Sequence, residues 1–166
     1  MADINSIETC YGGLSNHGLP QVAIWLMVFI GLRQIEMDST YIKKQGILIV
    51  DDEEIILKLG QKMLSSITKK VFASNSAEGA IKILKDKIDK IDLAIIDVVL
   101  PNMEGTYLAQ LMLDIKPDLK ILFSSGYGST EAMQAFLDDG RANFIPKPFT
   151  REEVVEKINS ILSNVP

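Results

Sequence analysis

The sequence predicts an α/β fold, a doubly wound parallel sheet of five strands, and three observations carry that prediction. Beyond Gly46, short apolar runs alternate with helix-period segments five times in about 120 residues. The runs are apolar almost throughout, as strands covered on both faces require. Their C-terminal ends carry acids, hydroxyls and a lysine, at the edge where open parallel sheets hold their sites.

The elements follow in order. Candidate strands are "ILIV" (47–50), "KVFA" (70–73), "DLAIID" (92–97), "LKILFS" (119–124) and "ANFI" (142–145). Between them, Ile56, Leu59, Met63 and Ile67 suggest one helix face, and Ala77, Ile81, Leu84 and Ile88 a second. Leu108, Leu111 and Ile115 suggest a third, and a fourth helix after Gly128 carries Ala132, Ala135 and Phe136. The last helix runs from about Arg151 to Leu162 behind the capping box Thr150-x-x-Glu153.

Composition narrows the function. A net charge of −5 and the lack of a long basic run argue against a general nucleic-acid binder. The single cysteine, Cys10, has no internal disulfide partner, which suits a reducing cytoplasm. With one histidine, His17, in the loop-like "SNHG", the usual zinc sites and a Ser-His-Asp arrangement have no material.

The strand ends suggest a different chemistry. The first delivers Asp51-Asp52-Glu53, the third Asp97, the fourth Ser124-Ser125-Gly126 and the fifth Pro146-Lys147-Pro148. Clustered carboxylates repel one another unless a cation is present, and Mg²⁺ favours one or two carboxylates with waters and phosphate oxygens. An aspartate can attack phosphorus, while an ammonium and a hydroxyl hold the phosphoryl oxygens. Each part also has a plainer reading. The acidic run could cap a helix, Asp97 could cap a loop, Ser125 could belong to a turn, and Lys147 could be solvated. Their convergence at one end of one sheet favours a site of phosphorylation on carboxylate.

Residues 45 to 165 resemble the receiver domain of two-component response regulators. The stretches that carry the resemblance are "ILIVDDEE", "IIDVVLPNMEG" with Pro101 and Gly105, "LFSSGYG" and "ANFIPKPF". The resemblance implies a flavodoxin-like (βα)5 domain over 45–166 with strand order 2-1-3-4-5. It implies Asp97 as phosphoacceptor, and Mg²⁺ held by Asp52, Asp97 and the Val99 backbone carbonyl, with Asp51 acting through water. Ser125 and Phe144 would be the switch residues, Lys147 would pair with the phosphate, and the Lys147–Pro148 peptide would be cis. Gly126 would leave room for the phosphoryl group. Val99 and Tyr127 would tune its lifetime; neither is acidic or amide-bearing, so a long-lived phosphoryl group is expected.

The implied partner is a sensor histidine kinase or a histidine phosphotransfer protein. The implied response is a remodelled surface of the fourth helix, fifth strand and fifth helix. Such a domain is no enzyme beyond promoting its own phosphoryl transfer and dephosphorylation, and it would be cytoplasmic. A stand-alone receiver, a phosphorelay intermediate and a piece of a hybrid kinase all fit. Another reading is an interaction or dimerisation module that no longer depends on phosphorylation. A Mg²⁺-dependent phosphohydrolase with an Asp nucleophile would want a second Asp at position 99, where Val stands. A nucleotide-binding fold would want a Gly-rich loop where "DDEE" stands.

Residues 1–44 form an N-terminal extension with an apolar helix expected at about 20–43. Its centre, Val22 to Leu32, has no polar side chain but is shorter than the roughly 18–20 residues a spanning helix needs. The main expectation is a helix packed on the domain or on a second copy, giving a homodimer through it or through the fourth-helix face. Membrane association is the lesser alternative; Arg33, Lys43 and Lys44 behind the apolar run would suit it.

Overall fold

A computed structural model describes residues 44–126, 128 and 130–163; the N-terminal extension with its expected helix, and Tyr127, lie outside the described residues. Among those residues the order is β1 (Gly46–Val50), α1 (Glu54–Leu64), β2 (Lys70–Ser74), α2 (Ala77–Asp86), a 3₁₀ turn (Ile88–Lys90) and β3 (Leu93–Asp97). Then come α3 (Gly105–Ile115), β4 (Lys120–Ser125), α4 (Glu131–Asp138), β5 (Ala142–Pro146) and α5 (Arg151–Ser163). The strands pair in parallel in the order β2-β1-β3-β4-β5. The sheet begins at an inner strand, β1, winds outward to β2, and reverses through β3 toward β5. The doubly wound fold and its strand order are as expected.

Side-chain alternation splits the core into two layers. Leu48 and Val50 of β1, Ala94 and Ile96 of β3, and Ile121 and Phe123 of β4 face α2, α3 and α4. Ile47, Ile49, Leu93, Ile95, Leu122 and Ile145 face α1 and α5. Each inner strand is buried on both sides, which is why its sequence reads as an unbroken apolar run rather than an alternation.

The helix faces need correction. α1 buries Leu57 and Leu64, whereas Leu59, expected inside, is 48% exposed, and Ile67 lies beyond the helix. Gly60 marks the true face: a Cβ there would stand 3.0 Å from the Ile49 side chain, so the missing side chain lets helix and sheet approach. α4 starts at Glu131, capped by the Thr130 hydroxyl, and buries Met133 and Phe136 rather than Ala132 and Ala135. In α3 the buried row is Leu108, Ala109 and Met112, with Leu111 and Ile115 only half-buried. Ile88 sits exposed in the 3₁₀ turn. The capping box is present: the Thr150 amide donates to Glu153 Oε2 at 2.7 Å, and the Glu153 amide to Thr150 Oγ1 at 3.2 Å.

Candidate functional site

The strand order reverses between β1 and β3, so their C-terminal ends open side by side. Asp51 follows β1 and is 2% exposed; its backbone amide donates to the Ser74 carbonyl of β2 at 3.2 Å. Asp97 ends β3 half-buried, continuing the row of Leu93 and Ile95. Lys147 follows β5, and its amide donates to the Ser125 carbonyl at 2.8 Å, which holds it beside the end of β4. The Lys147–Pro148 peptide is cis.

Lys147 joins these strand ends. Its Nζ donates to Asp51 Oδ2 at 2.6 Å and to Asp97 Oδ2 at 2.6 Å. Burial alone would lower the ammonium's pKa. The hydrogen bonds and negative charges of Asp51 and Asp97 outweigh that and hold it above its ordinary value. The remaining carboxylate oxygens are used locally: Asp51 Oδ1 accepts from the Glu53 amide at 3.0 Å, and Asp97 Oδ1 from the Val99 amide at 2.9 Å. Glu53 is the N-terminal cap residue of α1 and makes no side-chain cap bond. The acidic run therefore does little capping; its structural effect is to place carboxylates at the sheet edge.

Carboxylate oxygens of Asp51, Asp52 and Asp97 lie within 4.8 Å of one another. Three hard oxygen donors at this spacing, one buried, one half-buried and one exposed, suit Mg²⁺, which keeps several waters and takes few protein ligands. Asp52, Asp97, Ser125, Gly126, Lys147 and Val99 line a cleft of about 350 Å³ above them. A Cβ on Gly126 would meet nothing within 4 Å, so this wall of the cleft is open backbone.

The turn after Asp97 is fixed by Gly105, whose amide donates to the Val98 carbonyl at 2.9 Å. A Cβ at Gly105 would overlap the Asp97 carbonyl, so α3 can start this close to the aspartate only from a glycine. Ser124 is the register partner of Asp97, but its buried hydroxyl has no hydrogen-bond partner among the described residues. Ser125, 2% exposed, is the hydroxyl that lines the cleft. Phe144 lies outside this cleft, half-buried against the α2–α4 layer and lining a second cleft of about 360 Å³ beside α5.

Asp51, Asp97 and Lys147, all singled out in the sequence, are joined here, and the Lys147–Asp51 bond is an addition to that reading. Asp51 is the deepest carboxylate and a direct partner of Lys147. The available signal was its place directly after the strand, where burial is greatest. Leu100, which also lines the cleft, went unnoticed because an isolated leucine in a loop carries no pattern.

Comparison with known proteins agrees with this fold. The description of the response regulator receiver domain matches residues 47–159. The chain is 28% identical over 130 residues to sensor kinase CckA of Brucella abortus, covering 78% of this chain and 14% of that protein. It is 32% identical over 108 residues to the two-component response regulator ORR22 of Oryza sativa subsp. indica, covering 65% of this chain and 15% of the relative. The chain thus spans about a seventh of the length of these relatives. A CheY-like receiver domain protein from Methanospirillum hungatei superposes with a TM-score of 0.65 at 30% identity, over 72% of this chain and 94% of its own. A signal receiver domain from Pseudomonas fluorescens superposes at 0.66 with 23% identity, over 72% and 95%. No described helix is long and apolar enough to cross a membrane. By the match over most of its length and by its sheet order, the chain belongs to the response regulator receiver domain family of two-component signalling.

Proposed function

We propose that the domain accepts a phosphoryl group on Asp97 from a phosphohistidine of a sensor kinase or phosphotransfer protein, and that this biases its α4-β5-α5 surface between two states. The observation that carries the reading is Lys147 Nζ held 2.6 Å from both Asp51 and Asp97 at the floor of a cleft ringed by acids. A cation is needed to keep these carboxylates together, and one already reaches in from β5.

Asp52, Asp97 and the Val99 carbonyl would hold Mg²⁺, with Asp51 acting through water. When bound, the ion neutralises the acidic pocket and the oxygens of an incoming phosphoryl group. Asp97 Oδ2 attacks phosphorus, the P–N bond breaks, and its electron pair leaves with the donor imidazole. The product carries about −1.5 to −2 charge at neutral pH. Lys147 then exchanges its bond to Asp97 for a phosphoryl oxygen, and the Ser125 hydroxyl donates to another. Because the Lys147 amide is bonded to the Ser125 carbonyl, movement at either residue reaches the other strand. Phe144, three residues before Lys147 on β5, repacks as this end shifts, and α4 and α5 follow. Ligation of the phosphoryl group selects between pre-existing arrangements, so a minor active population exists beforehand.

Intact-mass analysis after incubation with acetyl phosphate and Mg²⁺ tests the reading. One phosphoryl adduct is expected on the wild type and none on Asp97→Asn. A wild type that stays unmodified where a control receiver labels would overturn it, in favour of a module that works without phosphorylation.

A further inference from the structure

We infer that the end of the domain opposite Asp97 is a docking face for an anionic lipid bilayer. In a parallel sheet every helix returns the chain to the N-terminal edge, so the connections before each strand gather there. Lys44 precedes β1, Lys69 and Lys70 open β2, and Lys85, Lys87 and Lys90 lead into β3. β2, β1 and β3 are neighbours, so these six lysines occupy one stretch of the edge. All six are exposed. Among the described residues none of them is held in an ion pair.

Three aspartates, Asp86, Asp89 and Asp92, lie among them, and Asp92 is turned inward to accept the Gly46 amide at 2.8 Å. The edge is drawn together by Lys70 Nζ donating to the Lys44 carbonyl at 2.6 Å and Thr68 Oγ1 to the Gln45 carbonyl at 2.6 Å. At the other end stand Asp51, Asp52, Glu53 and Asp97. Among the described residues the β2-β1-β3 part of this edge is therefore basic, while the opposite, cleft end is acidic.

Such a polarity orients a protein over an anionic surface, because the basic edge is attracted and the acidic end repelled. The sequence favours a bilayer over a nucleic acid. β1 begins at this edge, and the apolar run Val22–Leu32, which contains the only tryptophan, Trp25, ends twelve residues before Lys44. A run too short to span suits burial at the lipid interface, and peripheral attachment generally takes two such signals, one apolar and one basic. Docked this way, the Asp97 cleft faces away from the lipid, about 17 Å of strand further out, open to a phosphoryl donor.

Flotation of the full chain with vesicles tests the inference, with Trp25 emission as a second readout. On mixed phosphatidylglycerol–phosphatidylcholine vesicles at about 0.05 M salt, the protein should float and its emission shift to the blue. Binding should fall at least tenfold on pure phosphatidylcholine, at about 0.5 M salt, and in the triple variant Lys85→Glu, Lys87→Glu, Lys90→Glu, checked as folded by circular dichroism. The variant Lys69→Glu, Lys70→Glu should repeat the loss through different residues. Equal binding to neutral vesicles, no binding to any vesicle, or capture by RNA without vesicle binding would each overturn the assignment. The outcome does not depend on phosphorylation of Asp97.

Discussion

At the scale of single residues, the site is governed by how many cations serve how many carboxylates. Asp51 and Asp97 are largely buried and share the Lys147 ammonium. Replacing one member of a buried pair leaves the other charge in low dielectric. Lys147→Met keeps the length of the side chain and removes its charge, and should cost about 2 kcal/mol of stability in the presence of a chelator. A divalent ion held at the three aspartates would substitute for the lost ammonium, so millimolar Mg²⁺ should restore part of that loss. Urea midpoints with and without Mg²⁺ decide it, and an identical loss in both conditions would remove Mg²⁺ from this cluster. Asp97, Asp52, Ser125 and Lys147 were legible in the sequence because four unusual residues end four apolar runs. The Lys147–Asp51 bond was not, since it joins residues 96 apart and depends on which carboxylate the twist of the sheet turns inward.

At the scale of elements, caps were legible and faces were less so. The box at the start of α5 is a local pattern, and it forms with both reciprocal bonds. The face of α1 is harder to read, because Ile55, Ile56, Leu57 and Leu59 offer several phases for a helix. Packing on Ile49 selects the one through Leu57, Gly60 and Leu64. The cap gives a pH prediction. Glu153 accepts from the Thr150 amide and hydroxyl, and these bonds hold its carboxyl below the ordinary value. Its folded pKa is depressed, so its contribution to stability is complete above the unfolded value near 4.5 and disappears as pH falls through the folded value. Wild type should therefore lose more stability than Glu153→Gln as the pH is taken down from neutral through and below the ordinary value of 4.5. Parallel acid shifts of the two melting temperatures would show that the bond is absent in solution. At neutral pH, Thr150→Ala should cost about 1 kcal/mol.

At the scale of the molecule, the sheet is a wall shared by two core layers. Strand count and the parallel arrangement followed from the five-fold alternation, but strand order did not follow from any local pattern and rested on the family resemblance. The polarity of charge was equally hidden, because a net charge says nothing about which loops the topology gathers. The shared wall also sets how the domain unfolds. Leu48 and Val50 of β1 belong to one layer, while Ile47 and Ile49, which alternate with them, belong to the other. β3 and β4 alternate in the same way, so neither layer can open while these strands stay paired. Leu108→Ala on one side and Ile158→Ala on the other each remove a side chain with no exposure, and each should cost about 3 kcal/mol. Both should shift one common transition rather than loosen their own layer. Native-state hydrogen exchange reads this directly, by comparing the opening free energies of β1, β3 and β4 amides in the two variants. Equal reductions across the three strands support a single cooperative unit. β2 is the expected exception, since it pairs on one side only and its first four residues are exposed or half-buried. If Ile158→Ala lowered protection in α5 alone while β3 kept its wild-type value, the two layers would be separate units and the sheet would not couple them.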